Sequence, residues 1–431
     1  MAGFFDTLQR NLNGGDYYDQ KSKTMNEHFI DDLNKMADDE NYIPKDSSAD
    51  MKYNFKLQQK RLKEHGITLK RKYIKEENAM SGVSMLMGND KRYINRIPFI
   101  SCRCESAFVK DGKIRKKMKS KETVYSYTVF VEGQDTSASY CCPNCGDVNT
   151  VQQLLETGCR SCGTRFIMSE LYPRITNYYT LKQKDYGLVP FYPFMLLWTL
   201  VIAAWIVTSA LQQREGIFLF LINLLFGIPL GMLLGYMFYA ISSMFLLIID
   251  SIVGSIRLSA YNRTKRKLPR FMQQFDPFFS IDFFVGKVNN LLRTLVFTDS
   301  YDNCAVYEQN GENPYKDIID IEYQGIIGLN SVKNDKNYVY ADINVYTKTT
   351  YCSKDKIRRK EDVFRMKIQR AIGVYDDCNA SIHNVECHSC AASFDAVREK
   401  KCPYCDNAYD LKQYDWVVTE FSRKPATPNR H

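Results

Sequence analysis

The stretch from Leu188 to Ile256 constrains this chain more than any other, because it is almost wholly apolar inside a sequence that is otherwise rich in charge. No residue from Leu188 to Leu211 carries a charge at neutral pH, and none does from Gly216 to Ile249. Only Gln212, Gln213, Arg214 and Glu215 separate the two runs. A membrane-spanning helix needs about 20 consecutive apolar residues. The first run meets this as one helix, with Tyr192, Trp198 and Trp205 as interfacial or packing aromatics. The second run would make a helix of roughly 50 Å, too long for a hydrocarbon core of about 30 Å, yet two spans would need about 40 residues. One long span, tilted or kinked at Pro229, predicts a two-helix transmembrane hairpin over 188–256.

The flanking charges point the same way. Lys182 and Lys184 precede the block, and Arg257, Arg263, Lys265, Arg266, Lys267 and Arg270 follow it with no acidic residue among them. Cytoplasmic loops carry the excess of Lys and Arg. Both flanks are therefore expected in the cytoplasm, with the short connecting loop outside. The basic segment 257–270 is also placed to attract anionic lipid. A hydrophobic hairpin inside a soluble core rarely has such long uninterrupted runs, and a cleaved signal peptide would not sit in mid-chain. Within the second run Gly227, Gly231 and Gly235 recur every fourth residue, a smooth stripe for close helix packing. Its expected partner is the first span, through Ala203, Ala204, Ser209 and Ala210; a homo-oligomer seam is the alternative.

Of fourteen cysteines, eight fall into four Cys-x-x-Cys pairs. Cys142 and Cys145 pair with Cys159 and Cys162, and Cys387 and Cys390 with Cys402 and Cys405. Such spacing sets four thiolates around Zn²⁺ in a reducing compartment, so two structural zinc sites are expected. Gly146 and Gly163 follow two of the pairs and can take the positive φ that turns backbone N–H groups toward sulfur. Redox exchange is disfavoured by the paired arrangement. His388 lies inside one knuckle whose four cysteines already complete the tetrahedron. Cys141 lacks the spacing, Cys102 and Cys104 read as buried residues on one strand face, and Cys304, Cys352 and Cys378 as unreactive buried thiols.

The composition divides the remainder into an α+β multidomain chain. Residues 1–95 are polar and partly helical, with helix-forming residues over 50–78 broken at Gly66. Residues 96–180 form a β-rich zinc-ribbon module in which KDGKIRKKMKSKE reads as a hairpin tip. Residues 271–384 form an α+β domain. Asp276 and Pro277 suit N-cap and N1 positions, Val285, Val288, Leu292 and Leu295 give a helical apolar face, and three strands follow. In the strands Val339, Ala341, Ile343 and Val345, and then Phe364, Met366 and Ile368, alternate with polar neighbours. Residues 385–422 carry the second zinc ribbon and a closing strand, DWVVTEF, and 423–431 form a tail.

The segment LPRFMQQFDPFFSIDFFVGKVNNLL, the strands after it, and the terminal CHSC, CPYC and DWVVTEF resemble a family of bacterial membrane proteins. Their domain is similar to the C-terminal domain of the mitochondrial import-motor tether, the forty-four kilodalton subunit of the inner-membrane translocase. The resemblance covers roughly 268–420. It rests on Asp276, Phe279 and Phe283 at the opening and on Asp415, Trp416 and Val417 at the closing strand. It implies a cone-shaped α+β fold like nuclear transport factor two, a bacterial cell membrane location, affinity for anionic lipid, and adaptor work near protein translocation or insertion. It implies no catalytic residues.

The function expected from all this is a non-enzymatic, membrane-anchored scaffold that binds an as yet unidentified protein partner, anionic lipid, or both. Histidine is scarce and no acid, base and nucleophile constellation stands out. Nucleic acid is not the expected partner, since the net charge of +9 sits largely beside the apolar block. Two rival classes follow from particular residues. One is a small-molecule or enzymatic pocket on the sheet using Asp320, Glu322, Asp342 and Tyr340. The other is an RNA or ribosome contact through the zinc ribbons and the basic run Lys113 to Lys121.

Overall fold

The computed structural model describes residues 2–76, 79–84, 93–131, 137, 139–142, 145–163, 172–182, 191–213, 216–353, 356–375 and 384–425. The polar N-terminal region opens with two helices, α1 (Ala2–Asp38) and α2 (Ala49–Glu64). On α1, Met25, Phe29, Ile30 and Leu33 share one face at helical spacing, and all are buried together with Met51 and Phe55 of α2. Ser48 caps α2, its Oγ accepting from the Met51 N–H at 3.4 Å, and Gly66 ends the turn at φ +63°. Sparse apolar residues in a polar segment therefore suffice for a core, because all of them fall on the faces turned to one sheet.

That sheet has six antiparallel strands: β1 (Ile67–Lys75), β2 (Ser81–Val83), β3 (Tyr93–Arg96), β4 (Pro98–Lys110) and β5 (Lys113–Val131), then, after β6 (Ser139–Cys141), β7 (Val148–Thr150) and the short α3 (Val151–Glu156), β8 (Arg174–Lys182). Two expectations change here. Residues 67–75 continue the segment read as helical, but all of them pair with β4, from Ile67 opposite Lys110 to Lys75 opposite Cys102. Pairing with a neighbour outweighs local helix preference. The basic run is not a loop either. Only Asp111 and Gly112 turn, at φ 52° and 70°, the geometry of a two-residue hairpin, and Lys113 onward is strand.

After the apolar block, itself α4 (Phe191–Gln213) and α5 (Ile217–Met272), come α6 (Ile281–Phe297) and the strands β9 (Ile318–Asn334), β10 (Tyr338–Ser353), β11 (Lys356–Ala371), β12 (Asn384–Glu386), β13 (Ser393–Asp395) and β14 (Val417–Pro425). A four-stranded antiparallel sheet in the order β14-β11-β10-β9 holds the alternating core positions, and Val285, Val288, Leu292 and Leu295 of α6 are buried in the same core. The start of α6 is corrected. Ser280 is the cap, its Oγ accepting from Phe283 N at 3.3 Å, whereas Asp276 shapes the preceding turn by accepting from Phe278 N at 3.0 Å.

The chain divides into two compact units. One joins residues 1–183 with 260–431; the other is 184–259. The sequence boundaries 1–95, 96–180 and 271–384 therefore mark segments that pack together. In the larger unit, Asn54 of α2 donates to the Asn290 carbonyl on α6 at 3.2 Å, and Gln58 donates to Asp320 of β9 at 2.7 Å. Gly325 at φ +71° is required where β9 meets β8, since a Cβ there would stand 2.7 Å from the Tyr179 ring.

In the smaller unit α5 runs without a break through Pro229, and Gly227, Gly231 and Gly235 are buried. Gly231 lies so close to α4 that a Cβ would meet the Thr199 Cα at 2.9 Å, and Trp198 stacks on Phe238 with ring centroids 4.2 Å apart. Among the described residues one helical segment, the 26 residues Ile217–Ser242, is long and apolar enough to cross a membrane. The apolar part of α4, Leu196–Ser209, is shorter, so two spans do not follow from length and composition. Lys184, Arg214, Glu215, Cys378, residues 426–431 and the side chain of Arg257 lie outside the described residues.

Candidate metal centres

Both tetracysteine sets converge. The sulfurs of Cys142, Cys145, Cys159 and Cys162 all lie within 4.8 Å of one another, as do those of Cys387, Cys390, Cys402 and Cys405. The closest pairs are Cys142 with Cys162 at 3.7 Å, Cys145 with Cys159 at 3.5 Å, and Cys387 with Cys405 and Cys390 with Cys402 at 3.6 Å each. Thiolates bound tetrahedrally at ~2.3 Å from one ion sit ~3.8 Å apart, so each set could hold a metal ion without rearrangement. In each set the first cysteine of a pair is buried and the second exposed, which suits a structural ion at the edge of a fold.

Four matching knuckles build these sites. The residue after each second cysteine, Gly146, Gly163, Ala391 and Asp406, has φ between 55° and 75°. Its N–H donates to the carbonyl of the first cysteine at 2.7 to 2.9 Å. Glycine at two of these positions was a legible sign; Ala391 and Asp406 take the same backbone without it. Backbone N–H groups aimed at sulfur favour the thiolate. Those of Cys390 and Ser389 hold Cys387 down to about 6, and those of Cys162 and Ser161 lower Cys159. Cys145 and Cys405 have N–H donors of their own, from Asp147 and Asn407, yet protons shared with neighbouring thiols push both up to about 12. Asn149 adds a side-chain donor 3.5 Å from the Cys159 sulfur.

The two centres differ in what they support. The first has a small apolar cluster of its own, Cys142, Leu154 and Cys159. The second is part of the main core, where Val385, Phe394, Ala396 and Val397 pack with Leu411, Trp416 and α6. His388 stays outside the sulfur set and stacks on Tyr414, centroids 4.0 Å apart. Among the described residues the other thiols join neither set. Cys102, Cys104, Cys304 and Cys352 are buried, and burial pushes Cys102 and Cys104 up to about 11 and Cys304 to about 12; Cys141 is exposed.

The residues that carried the family resemblance form a buried brace. Asp276 pairs with Arg370 at 2.9 Å, both almost fully buried, and Arg370 lies 4.8 Å over the Trp416 ring. Lys287 of α6 pairs with Asp415, also buried. Phe279 is in the core, and Phe283 stacks on Tyr93 with centroids 5.3 Å apart. These contacts tie the turn before α6 to β11, and α6 itself to the residues just before β14.

The basic segment after the apolar block is helical and two-faced. Tyr261, Thr264, Leu268 and Met272 are buried at helical spacing, and Thr264 both donates to the Ile327 carbonyl and accepts from Leu329 N, fixing α5 along β9. Arg263, Arg266, Lys267 and Arg270 are exposed on the opposite side, and Lys265 leans toward Tyr261 and Asp282. The acidic residues suggested for a pocket do not converge. Asp320, buried, and Glu322, partly buried, pair with Arg71, whereas Asp342 is held by Arg365 and Asn330, and Tyr340 donates to Asp335. No family model, curated protein or solved structure matches this chain.

Proposed function

We propose that this protein is a non-enzymatic scaffold of the bacterial cell membrane, anchored by α4 and α5 as a transmembrane hairpin, with residues 1–183 and 260–431 forming one cytoplasmic body that carries two structural Zn²⁺ ions. The observation that carries the reading is the joint unit itself. Segments on either side of a membrane-crossing block can share a core only if the chain returns to the side from which it left, which requires an even number of crossings. The close fit of Gly231 on Thr199 supports α4 as the second member of the pair. The exposed cations Arg263, Arg266, Lys267 and Arg270 suit the cytoplasmic surface of an anionic bilayer, each contributing ~1 kcal/mol there. Four thiolates, N–H···S contacts and no competing oxygen ligand favour Zn²⁺ as the ion.

The adaptor role rests on the resemblance. A helix, α6, packed against a four-stranded antiparallel sheet is compatible with the cone-shaped domain it implies, and the buried brace around Trp416 gives that domain a rigid frame for holding a protein partner near a translocation or insertion site. Carbonate extraction of cell membranes tests the anchor. The whole chain stays in the pellet, and a variant lacking 188–256 moves to the supernatant. Release of the intact chain by carbonate would remove the anchor from this account.

A further inference from the structure

We infer that the outer face of the β1-β4-β5 sheet is a second docking surface for anionic lipid, with the β4-β5 hairpin tip entering the headgroup layer. The inference rests on the reading of 184–259 as a membrane anchor, which tethers the larger unit to a bilayer.

Register sets three rows of side chains on that face. Lys70 lies opposite Ala107 and Lys117, Lys72 opposite Glu105 and Lys119, and Ile74 opposite Arg103 and Lys121. Alternate residues of a strand stand ~6.8 Å apart on one face, so the cations form a regular array. Glu105 is the only acidic residue in these rows. Among the described residues Lys70 and Lys117 have no ion pair at all, while Lys72 pairs with Asp38 on α1, Lys121 reaches Glu76 at 4.0 Å, and Lys119 shares Glu105 with Arg103. The inner face is already spoken for: Met118 packs with Phe108, Ile319 and Cys352. The basic face is thus the one left to solvent.

The tip decides which polyanion fits. A register shift at Arg115 puts Ile114 opposite Val109, on the outer face, where it is 60% exposed between the exposed Lys113 and Arg115. An apolar side chain ringed by cations at the end of a hairpin matches the boundary between headgroups and acyl chains. Single-stranded nucleic acid would instead call for aromatic platforms on which bases stack, and none of the positions in these three rows is aromatic.

The test uses the full chain in phosphatidylcholine nanodiscs and in nanodiscs doped with phosphatidylglycerol, with lysine acetylation read peptide by peptide. Lys117, Lys119 and Lys121 are expected to react several-fold more slowly in the anionic discs, the effect to vanish in high salt, and the exposed Lys336 to be unchanged. In the triple variant Lys117→Glu, Lys119→Glu, Lys121→Glu, a maleimide on Ile114→Cys should lose its protection as well. Equal rates in both discs overturn the proposal, and protection by added oligouridylate but not by phosphatidylglycerol overturns it in favour of nucleic acid. Retention of the chain by neutral discs reports the anchor separately, so the two failures are distinguishable.

Discussion

Arg71 on β1 donates to Asp320 on β9 at 2.5 Å, a pair separated by 249 positions and by the whole apolar block. Glu322 stands 2.8 Å from the same guanidinium and is also bound by Arg359. Asp320 is buried and could not keep its charge there without the guanidinium. The contact therefore ties the two halves of the larger unit into one body.

Asp320→Asn is expected to cost about 3 kcal/mol in urea unfolding, the lower end of the ~3–5 kcal/mol for stripping a buried charge of its partner, because Glu322 remains. Burial alone would raise the Asp320 pKa, but the charge and hydrogen bond of Arg71 bring it below the ordinary 3.8. A carboxylate with a depressed folded pKa stabilises above its unfolded pKa and loses that contribution as pH falls through the folded value. The difference between wild type and Asp320→Asn should thus be complete at neutral pH and close below about pH 4. Equal stabilities at neutral pH would contradict the pairing.

Metal analysis of the purified chain should return about two zinc ions, one per set of four cysteines. Loss of either site has unequal consequences. Cys402→Ser removes one ion and loosens the main core through Phe394, Val397 and Trp416, so global unfolding shifts to lower denaturant. Cys145→Ser removes one ion and leaves that transition nearly unchanged, since its cluster is separate. Ala391→Gly should stabilise the metal-loaded protein by roughly 1 kcal/mol by relieving a left-handed alanine. A folded, metal-free chain would refute both centres.

In the helical pair the two glycines should not respond alike. A Cβ at Gly227 meets the mobile end of Ile206, whereas one at Gly231 meets the backbone of Thr199. Gly231→Ala is therefore expected to lower thermal stability in detergent more than Gly227→Ala, by ~1–3 kcal/mol of overpacking. Equal effects would mean that α4 does not lie on this stripe.

The parts of the fold legible in sequence were those with a strict local period. The alternation Val339, Ala341, Ile343 and Val345 and the face Val285, Val288, Leu292 and Leu295 are buried as their spacing requires. The cysteine spacing located both tetracysteine sets that could hold a metal ion. What escaped depended on distant partners. β1 is a strand because β4 lies beside it, the start of α6 is set by Ser280 while Asp276 is taken up by Arg370, and Asp320 is buried because Arg71 reaches it. No local pattern announces a partner some 250 residues away.

The central claim is that the segments before and after the apolar block share one side of the membrane. Single cysteines at the exposed positions Lys117, Gln212 and Lys336, reacted in intact cells with a membrane-impermeant maleimide, test it most directly. Labelling of Gln212→Cys alone, with Lys117→Cys and Lys336→Cys reacting only after lysis, is the predicted result. Labelling of just one of Lys117→Cys and Lys336→Cys from outside would contradict it.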